Sequence, residues 1–437
     1  MKKEYPFNVA HTQQYKAYSL HNFRKIPQIR ALPEKLKFEI EVVAQVFPFK
    51  TNTYVINELI DWNNIPNDPI FRLTFPQKEM LLPHHYDKIA NLLNLDAEKE
   101  ELEKVVDKIH EELNPHPAGQ MEYNVPLLNG ERLSGLQHKY RETVLFFPSK
   151  GQTCHAYCSF CFRWPQFTGK EEYKFAMRET SLLIDYLKKH PEVSDVLITG
   201  GDPMIMGSRS LRHYLEPLIN ADVQSLRTIR IGTKSLSFWP YKYLHSPEAD
   251  EVLALFRKIV DSGKHLAIMA HFTHPRELGT PAVRAAIKRI RSTGAEIRTQ
   301  SPVLRWINDD PDVWATMWKM QVKLGCIPYY MFVVRNTGAQ HYYGLPLERT
   351  YEIYKNAIQQ VSGLARTVRG PSMSAMPGKV HVTGIFDING EKVFGLNMLQ
   401  ARRPDIVMQP FFAKYNPEAT WLDELEPAFG EKKFPFE

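Results

Sequence analysis

Cys154, Cys158 and Cys161 stand in the run Cys-His-Ala-Tyr-Cys-Ser-Phe-Cys and make up three of the 4 cysteines in the chain. Soft sulfur ligands so close together suit an iron–sulfur centre or zinc. A cubane [4Fe–4S] cluster has four iron corners, so three protein sulfurs leave one iron free to bind and reduce something. A structural zinc site needs four closed ligands. The one remaining cysteine, Cys326, is far downstream beside a predicted strand. A second chemical signal is Thr199-Gly-Gly-Asp-Pro203, at the end of a predicted strand. Gly200 and Gly201 let backbone approach a ligand closely, and Asp202 offers an anion to an ammonium. Alone, this sequence also reads as an ordinary strand-to-turn signal.

The elements that must carry these residues follow from periodicity. Up to about residue 120 the chain reads as helical, clearest from Ala97 to Leu113. There Leu102, Val105, Val106, Ile109 and Leu113 fall on one face, with Asp96 as N-cap and Pro115 as stop. The stretch Asn114–Gly119 reads as a linker. From residue 140, short apolar runs alternate with helical patterns such as Tyr173–His190 and Asp250–Ser262. Strands are expected at Val144–Pro148, Asp195–Gly201, Thr228–Thr233, His265–Phe272, Glu296–Pro302 and Cys326–Val333. Six strand–helix units in series predict parallel strands joined by crossover helices. They are too few for a closed eight-stranded barrel, so the expected fold is α/β, a partial (β/α)6 barrel. Polar residues at its strand C-terminal ends would face a site. The division expected is an N-terminal helical region over 1–120, a core over 121–340 and a C-terminal segment over 341–437. The last comprises a helix at Leu347–Val361, short strands and an extended tail from Arg402.

Bulk composition excludes some classes. With 43% hydrophobic and 24% charged residues, a chain of 437 residues is ordinary globular material. No apolar run is long enough for a membrane span. Few, clustered cysteines point to a reducing cytoplasm rather than to disulfides. The net charge of +6 is scattered, so nucleic acid is not an expected partner.

The Cys-x3-Cys-x2-Cys spacing resembles the signature of the radical S-adenosylmethionine (SAM) enzymes. In those, the open iron chelates SAM and electron transfer releases a 5′-deoxyadenosyl radical. The resemblance extends to the lysine 2,3-aminomutase family, which also carries pyridoxal phosphate (PLP). It begins at Gly135-Leu-Gln-His-Lys-Tyr140 and continues through Cys161-Phe-Arg163, Ile229-Arg-Ile-Gly232, His271-Phe-Thr-His-Pro275 and Gln300-Ser301. It ends with Arg305-Trp-Ile-Asn-Asp309, Tyr329-Tyr330 and Ser362-Gly363, in family order and nearly family spacing. The resemblance implies that Gly200, Gly201 and Asp202 hold the methionine amino group, with His271 and Gln300 near SAM. Lys139 and Tyr140 match positions that contact PLP, although the family has Arg where Lys139 stands. Arg163 matches the residue that binds the substrate α-carboxylate. Counting on from Ser362-Gly363, Lys379 matches the lysine that carries PLP, because an amine is needed to form the Schiff base. The family loop before it is nearly all glycine. Here it reads Ser374-Ala-Met-Pro-Gly-Lys379, so the phosphate cradle is expected to differ.

Two departures concern specificity. Lysine mutases hold the distal ammonium with two aspartates, and the matching positions here are Arg335 and Ser372. A cation and a hydroxyl would repel lysine and attract a side-chain carboxylate. This resembles the glutamate 2,3-aminomutase variant and implies glutamate, then aspartate, as substrate. The cysteines that hold a structural zinc in some lysine mutases are missing, because Asp310 follows Asn308-Asp309 and no cysteine follows Cys326. The expected activity is therefore an isomerase moving an amino group from C2 to C3. It would use a [4Fe–4S] cluster, SAM and PLP, with an external electron donor such as flavodoxin or ferredoxin and a homo-oligomeric state. Two alternatives stay open. One is a PLP-independent radical SAM dehydrogenase, epimerase or decarboxylase acting on an amino acid or peptide. The other is a non-catalytic iron–sulfur or metal-binding protein.

Overall fold

The computed structural model describes residues 14–114 and 121–437, so most of the linker expected at Asn114–Gly119 lies outside the described residues. Three long helices lead the chain: α1 (Glu34–Val46), α2 (Pro83–Asn94) and α3 (Lys99–Leu113). In α3, Val106, Ile109 and Leu113 are the buried stripe, as their spacing requires. The helix start differs from expectation. Glu98 occupies the N-cap, and Asp96 sits in the left-handed region at φ 49°, a turn residue rather than a cap.

The core is one sheet of eleven strands in sequential order. These are β1 (Leu136–Tyr140), β2 (Thr143–Phe146), β3 (Asp195–Ile198), β4 (Thr228–Thr233), β5 (His265–His271), β6 (Glu296–Val303), β7 (Ile327–Val333), β8 (Arg369–Ser374), β9 (Gly378–Ile388), β10 (Glu391–Ala401) and β11 (Pro410–Lys414). Neighbours from β2 to β8 pair in parallel. The crossovers carry α4 (Thr180–Lys189), α5 (Ser208–Asn220), α6 (Ala249–Asp261), α7 (Pro281–Arg291), α8 (Pro311–Lys323) and α9 (Leu347–Gln359). All six expected strands are present, and the architecture is the partial α/β barrel, with β8 as an added seventh parallel strand. Each helix buries one apolar stripe against the sheet; in α6 it is Val252, Leu255, Phe256 and Ile259.

After β8 the chain turns antiparallel through β9, β10 and β11. These strands replace the expected short strands and extended tail. They fold around a second core containing Val382, Phe394, Leu396, Trp421 and Phe434. Their end returns to the first strand: Arg141 N donates to the Ala401 carbonyl at 3.2 Å, and Arg402 donates to the His138 carbonyl. The C-terminal hairpin thus spans the open side that a partial barrel leaves. The N-terminal helices and the barrel share one buried cluster that includes Phe23, Val43, Ile198 and Val361. Among the described residues no helix is long and apolar enough to cross a membrane.

Candidate active site

A cavity of about 300 Å³ opens inside the barrel, lined from the strand ends and from the C-terminal hairpin. Every site residue expected from the sequence lines it except Lys139 and Ser372.

The cysteine loop follows β2. Cys161 N donates to the Cys158 carbonyl at 3.0 Å, which turns the loop so that the three thiols face the cavity. Burial is the largest influence on each thiol and pushes it up, with the Asp202 carboxylate and the neighbouring thiols adding to the shift at Cys154. Thiolates gathered there need a cationic centre. Among the described residues, the groups of three metal-ligating side chains that meet within 4.8 Å do not include these cysteines. Three thiols on one loop, all lining the cavity, suit a cluster that takes three protein sulfurs.

Gly200 and Gly201 explain themselves through this loop. A Cβ on Gly201 would lie 2.6 Å from Thr153 N and O, and Gly200 has φ 150° with Gln152 against it. Asp202 N completes the clasp by donating to the Thr153 carbonyl at 2.8 Å. The Asp202 carboxylate accepts from Met204 N at 2.9 Å, Thr233 Oγ1 at 2.6 Å and Lys234 N at 2.9 Å. It therefore ties β3 to β4 while its edge faces the cavity. Lys234, which sequence reasoning missed, lines the cavity and bridges to fully buried Glu277 at 2.7 Å. Its signal was its position directly after the β4 strand Thr228–Thr233. His271 ends β5; its Nε2 shares a 3.3 Å hydrogen bond with Ser301 Oγ. Burial, then the Lys234 ammonium, holds its imidazole well below the usual range, so it is neutral. Gln300 pairs across the sheet between His271 and Tyr330.

Two guanidiniums share the other wall. Arg163 lies 4.3 Å from the Phe147 ring centroid and 5.1 Å from that of Phe162. Arg335 is also 5.1 Å from the Phe162 ring. Neither forms a salt bridge among the described residues. Burial lowers both, Arg163 to about 10; Arg335 lowers Arg163 further while Cys161 and Cys154 oppose it, and Tyr140 and Asp423 oppose the fall at Arg335. Asp423 acts on Arg335 from the C-terminal segment but is itself exposed.

Lys379 sits at the start of β9, opposite Ser374 and Gln400. The segment that replaces the family's glycine-rich loop is a tight turn of three residues between β8 and β9. Gly378 is required there because a Cβ would collide with the Gln400 carbonyl. The Lys379 amine lies 3.8 Å from the Tyr330 ring centroid and 5.3 Å from those of Tyr140 and Phe332. Burial pushes it well down, helped by Arg230, Lys139 and Arg369. Arg230 is matched by Asp195 at 2.5 Å, so that carboxylate is already paired. The amine enclosed by aromatic rings is thus shifted toward its neutral, nucleophilic form, which is what a PLP-carrying lysine needs. Tyr140 lines the same wall and shares a 3.2 Å hydrogen bond with Ser374 Oγ. Lys139 stands behind this wall, close enough for its charge to act on Lys379 and to feel Arg335. Ser372 is a correction to the sequence reading. It is fully buried, donates to the Arg369 carbonyl at 3.4 Å and does not line the cavity; Ser374, two residues on, does.

No protein-family model matches the chain. A protein of Aquifex aeolicus (strain VF5), named "Putative L-lysine 2,3-aminomutase", is 33% identical over 405 residues, covering 93% of this chain and 95% of that protein. The L-lysine 2,3-aminomutase of Clostridium subterminale is 25% identical over 306 residues, 70% of this chain and 62% of its own length. Among solved structures, Streptococcus suis SuiB bound to precursor peptide SuiA aligns over 60% of this chain and 53% of its own at 10% identity. Its TM-score of 0.36 is too low to bear on the argument. The first relative, aligned over nearly all of both chains, agrees with a cavity that unites three cysteines, the Gly-Gly-Asp turn and a buried lysine. The chain belongs to the lysine 2,3-aminomutase family of radical SAM isomerases.

Proposed function

We propose that this enzyme moves the amino group of an acidic α-amino acid from C2 to C3, with glutamate as first substrate and aspartate as second. The observation that carries this reading is the pair Arg163 and Arg335: two guanidiniums over one ring, in one cavity, with Asp423 acting on Arg335 only from the exposed C-terminal segment. Each guanidinium suits one carboxylate, in the bidentate geometry that arginine provides. Arg163 would take the α-carboxylate and Arg335 the side-chain carboxylate. An ammonium about 4 Å from Arg335 would be repelled by about 4 kcal/mol at an effective dielectric of about 20. That is the specificity argument against lysine.

When bound, the cluster with SAM supplies the hydrogen-abstracting radical, and PLP supplies a ring over which the unpaired electron spreads while nitrogen migrates. The chain's own work is positioning. Cys154, Cys158 and Cys161 would hold the cluster. Gly200 and Gly201 keep backbone close to it, and the edge of Asp202 can accept from the amino group of SAM. Neutral His271 can donate or accept one hydrogen bond without bringing charge beside the radical. Lys379 would offer the amine that holds PLP, and Tyr140 and Tyr330 would wall its ring. The returning hairpin β9–β10 limits water access, which a reactive radical requires.

The test is an anaerobic assay of the reconstituted enzyme with PLP, SAM and a chemical reductant, offered glutamate, aspartate or lysine. Mass spectrometry should find 5′-deoxyadenosine and an isomer of unchanged mass from glutamate or aspartate. β-Lysine as the preferred product would sink the role given to Arg335. 5′-Deoxyadenosine without any isomer would sink the mutase reading for these substrates.

A further inference from the structure

The N-terminal region grips the cysteine loop from outside. A short strand, Lys50–Asn52, pairs with Ala17–Ser19, and Tyr157 N donates to the Lys50 carbonyl at 2.8 Å. Asn52 is fully buried and donates to the His155 and Phe238 carbonyls, both at 3.0 Å. Tyr15 OH donates to the same His155 carbonyl at 2.9 Å. Further along, Ser159 N donates to the Leu73 carbonyl at 2.9 Å and Ser159 Oγ to the Arg72 carbonyl at 2.7 Å. The loop is thus held between this region and the turn at Gly201–Asp202.

One contact in this grip carries charge. Lys50 Nζ donates to the Cys154 carbonyl at 2.7 Å and to Thr153 Oγ1 at 3.4 Å, and it lies 5.8 Å from the Tyr157 ring centroid. Lys50 forms no salt bridge among the described residues. A scaffold alone needs only a neutral donor there, as Asn52 and Tyr15 show. The Lys50 ammonium also acts electrostatically on the Cys154 thiol, so its charge is felt at the first of the three sulfurs. For an iron–sulfur cluster, local charge and hydrogen bonding set the reduction potential. A fixed cation favours the state with one more electron.

We propose that Lys50 is a positioning residue that sets the reduction potential of the cluster held by Cys154, Cys158 and Cys161. Its ammonium stabilises the one-electron-reduced cluster, and its hydrogen bond fixes the Cys154 carbonyl. The electron itself comes from a low-potential one-electron donor. This inference rests on the reading of the three cysteines as cluster ligands.

The test uses the full chain, reconstituted anaerobically with iron and sulfide, and compares the parent with Lys50→Gln and Lys50→Arg. Gln keeps a donor to the carbonyl and removes the charge; Arg keeps both. Iron content and a potentiometric titration followed by electron paramagnetic resonance are read on each. The expected result is equal iron in all three. Lys50→Gln should then shift the reduction equilibrium about tenfold against the reduced state, about 59 mV for one electron. Lys50→Arg should stay near the parent. A loaded Lys50→Gln protein with the parent's midpoint would overturn the proposal. So would equal loss of iron from both variants, which would make Lys50 a tether only. Parent protein that takes up no iron would overturn the cluster reading itself, before Lys50 enters.

Discussion

Replacing Arg335 with Gln separates charge from shape in the proposed selector. A guanidinium and a carboxylate about 4 Å apart attract by about 4 kcal/mol at an effective dielectric of about 20. The Gln amide can return one hydrogen bond, about 1 kcal/mol. The net loss is about 3 kcal/mol, or roughly 150-fold in kcat/KM for glutamate at 1.36 kcal/mol per tenfold. Most of it should fall on KM, because the carboxylate is bound equally in ground and transition states. Lysine should lose nothing and gain relative to glutamate. A companion measurement needs no radical chemistry: the thermal shift given by glutarate, a dicarboxylate without an amino group. A ligand at about 100 times its Kd stabilises by about 2.7 kcal/mol. That shift should be clear in the parent and small in Arg335→Gln. Asp423→Asn is the control, since Asp423 is exposed and its pull on Arg335 is screened. The reasoning is refuted if Arg335→Gln leaves glutamate kcat/KM within about threefold of the parent and the glutarate shift intact. The structure also redirects the partner mutation. A carboxylate at Ser372 would sit behind the cavity wall against the Arg369 carbonyl, whereas one at Ser374 would enter the cavity.

Two further outcomes follow from buried titratable groups. Burial pushes Lys379 toward its uncharged form, so the unfolded chain binds a proton more readily than the folded chain; stability is lost as pH falls from the free-lysine range toward the lowered folded value. Lys379→Met should therefore raise the melting temperature at neutral pH while abolishing the PLP absorbance band, and a lower melting temperature would contradict the neutral-amine assignment. His274 accepts from Arg276 N at 3.2 Å in its neutral form, and burial, opposed by Glu277 and aided by Arg276, lowers it from 6.5 to about 4. Its contribution is present above about pH 6.5 and is lost as pH falls through that value to about 4. At 1.36 kcal/mol per pH unit this amounts to about 3 kcal/mol. His274→Gln should flatten the acid limb of a urea-unfolding series by that amount, and an unchanged limb would show that other groups control acid sensitivity.

The α/β pattern was legible because each barrel strand is a short apolar run between helices with a clear apolar stripe, and such local periodicity survives in sequence. The cysteine loop was legible because its three ligands are close in the chain. The Gly-Gly turn was legible only in part: its glycines were expected to make room for a ligand, and the immediate reason for them is the cysteine loop pressed against Gly201. Arg163 and Arg335 could be named from the family pattern. Their sharing of one aromatic ring appears only when β7 brings Arg335 back to the loop after β2.

What the sequence determined by itself was the set of chemical groups: three thiols for a cluster, an amine for PLP, and arginine where lysine mutases place aspartate. Tertiary structure alone decided which of them face one cavity. Ser372 and Ser374 are both serines on one strand, and only packing tells which reaches the site. The folding of the final stretch into β9–β11 depends on pairing between distant segments, such as Arg141 with Ala401, which no local period announces. The low charge tolerance of Lys379 arises from burial among rings and cations gathered from four strands. Burial and electrostatics depend on distance in space, and spacing along a chain does not specify that distance.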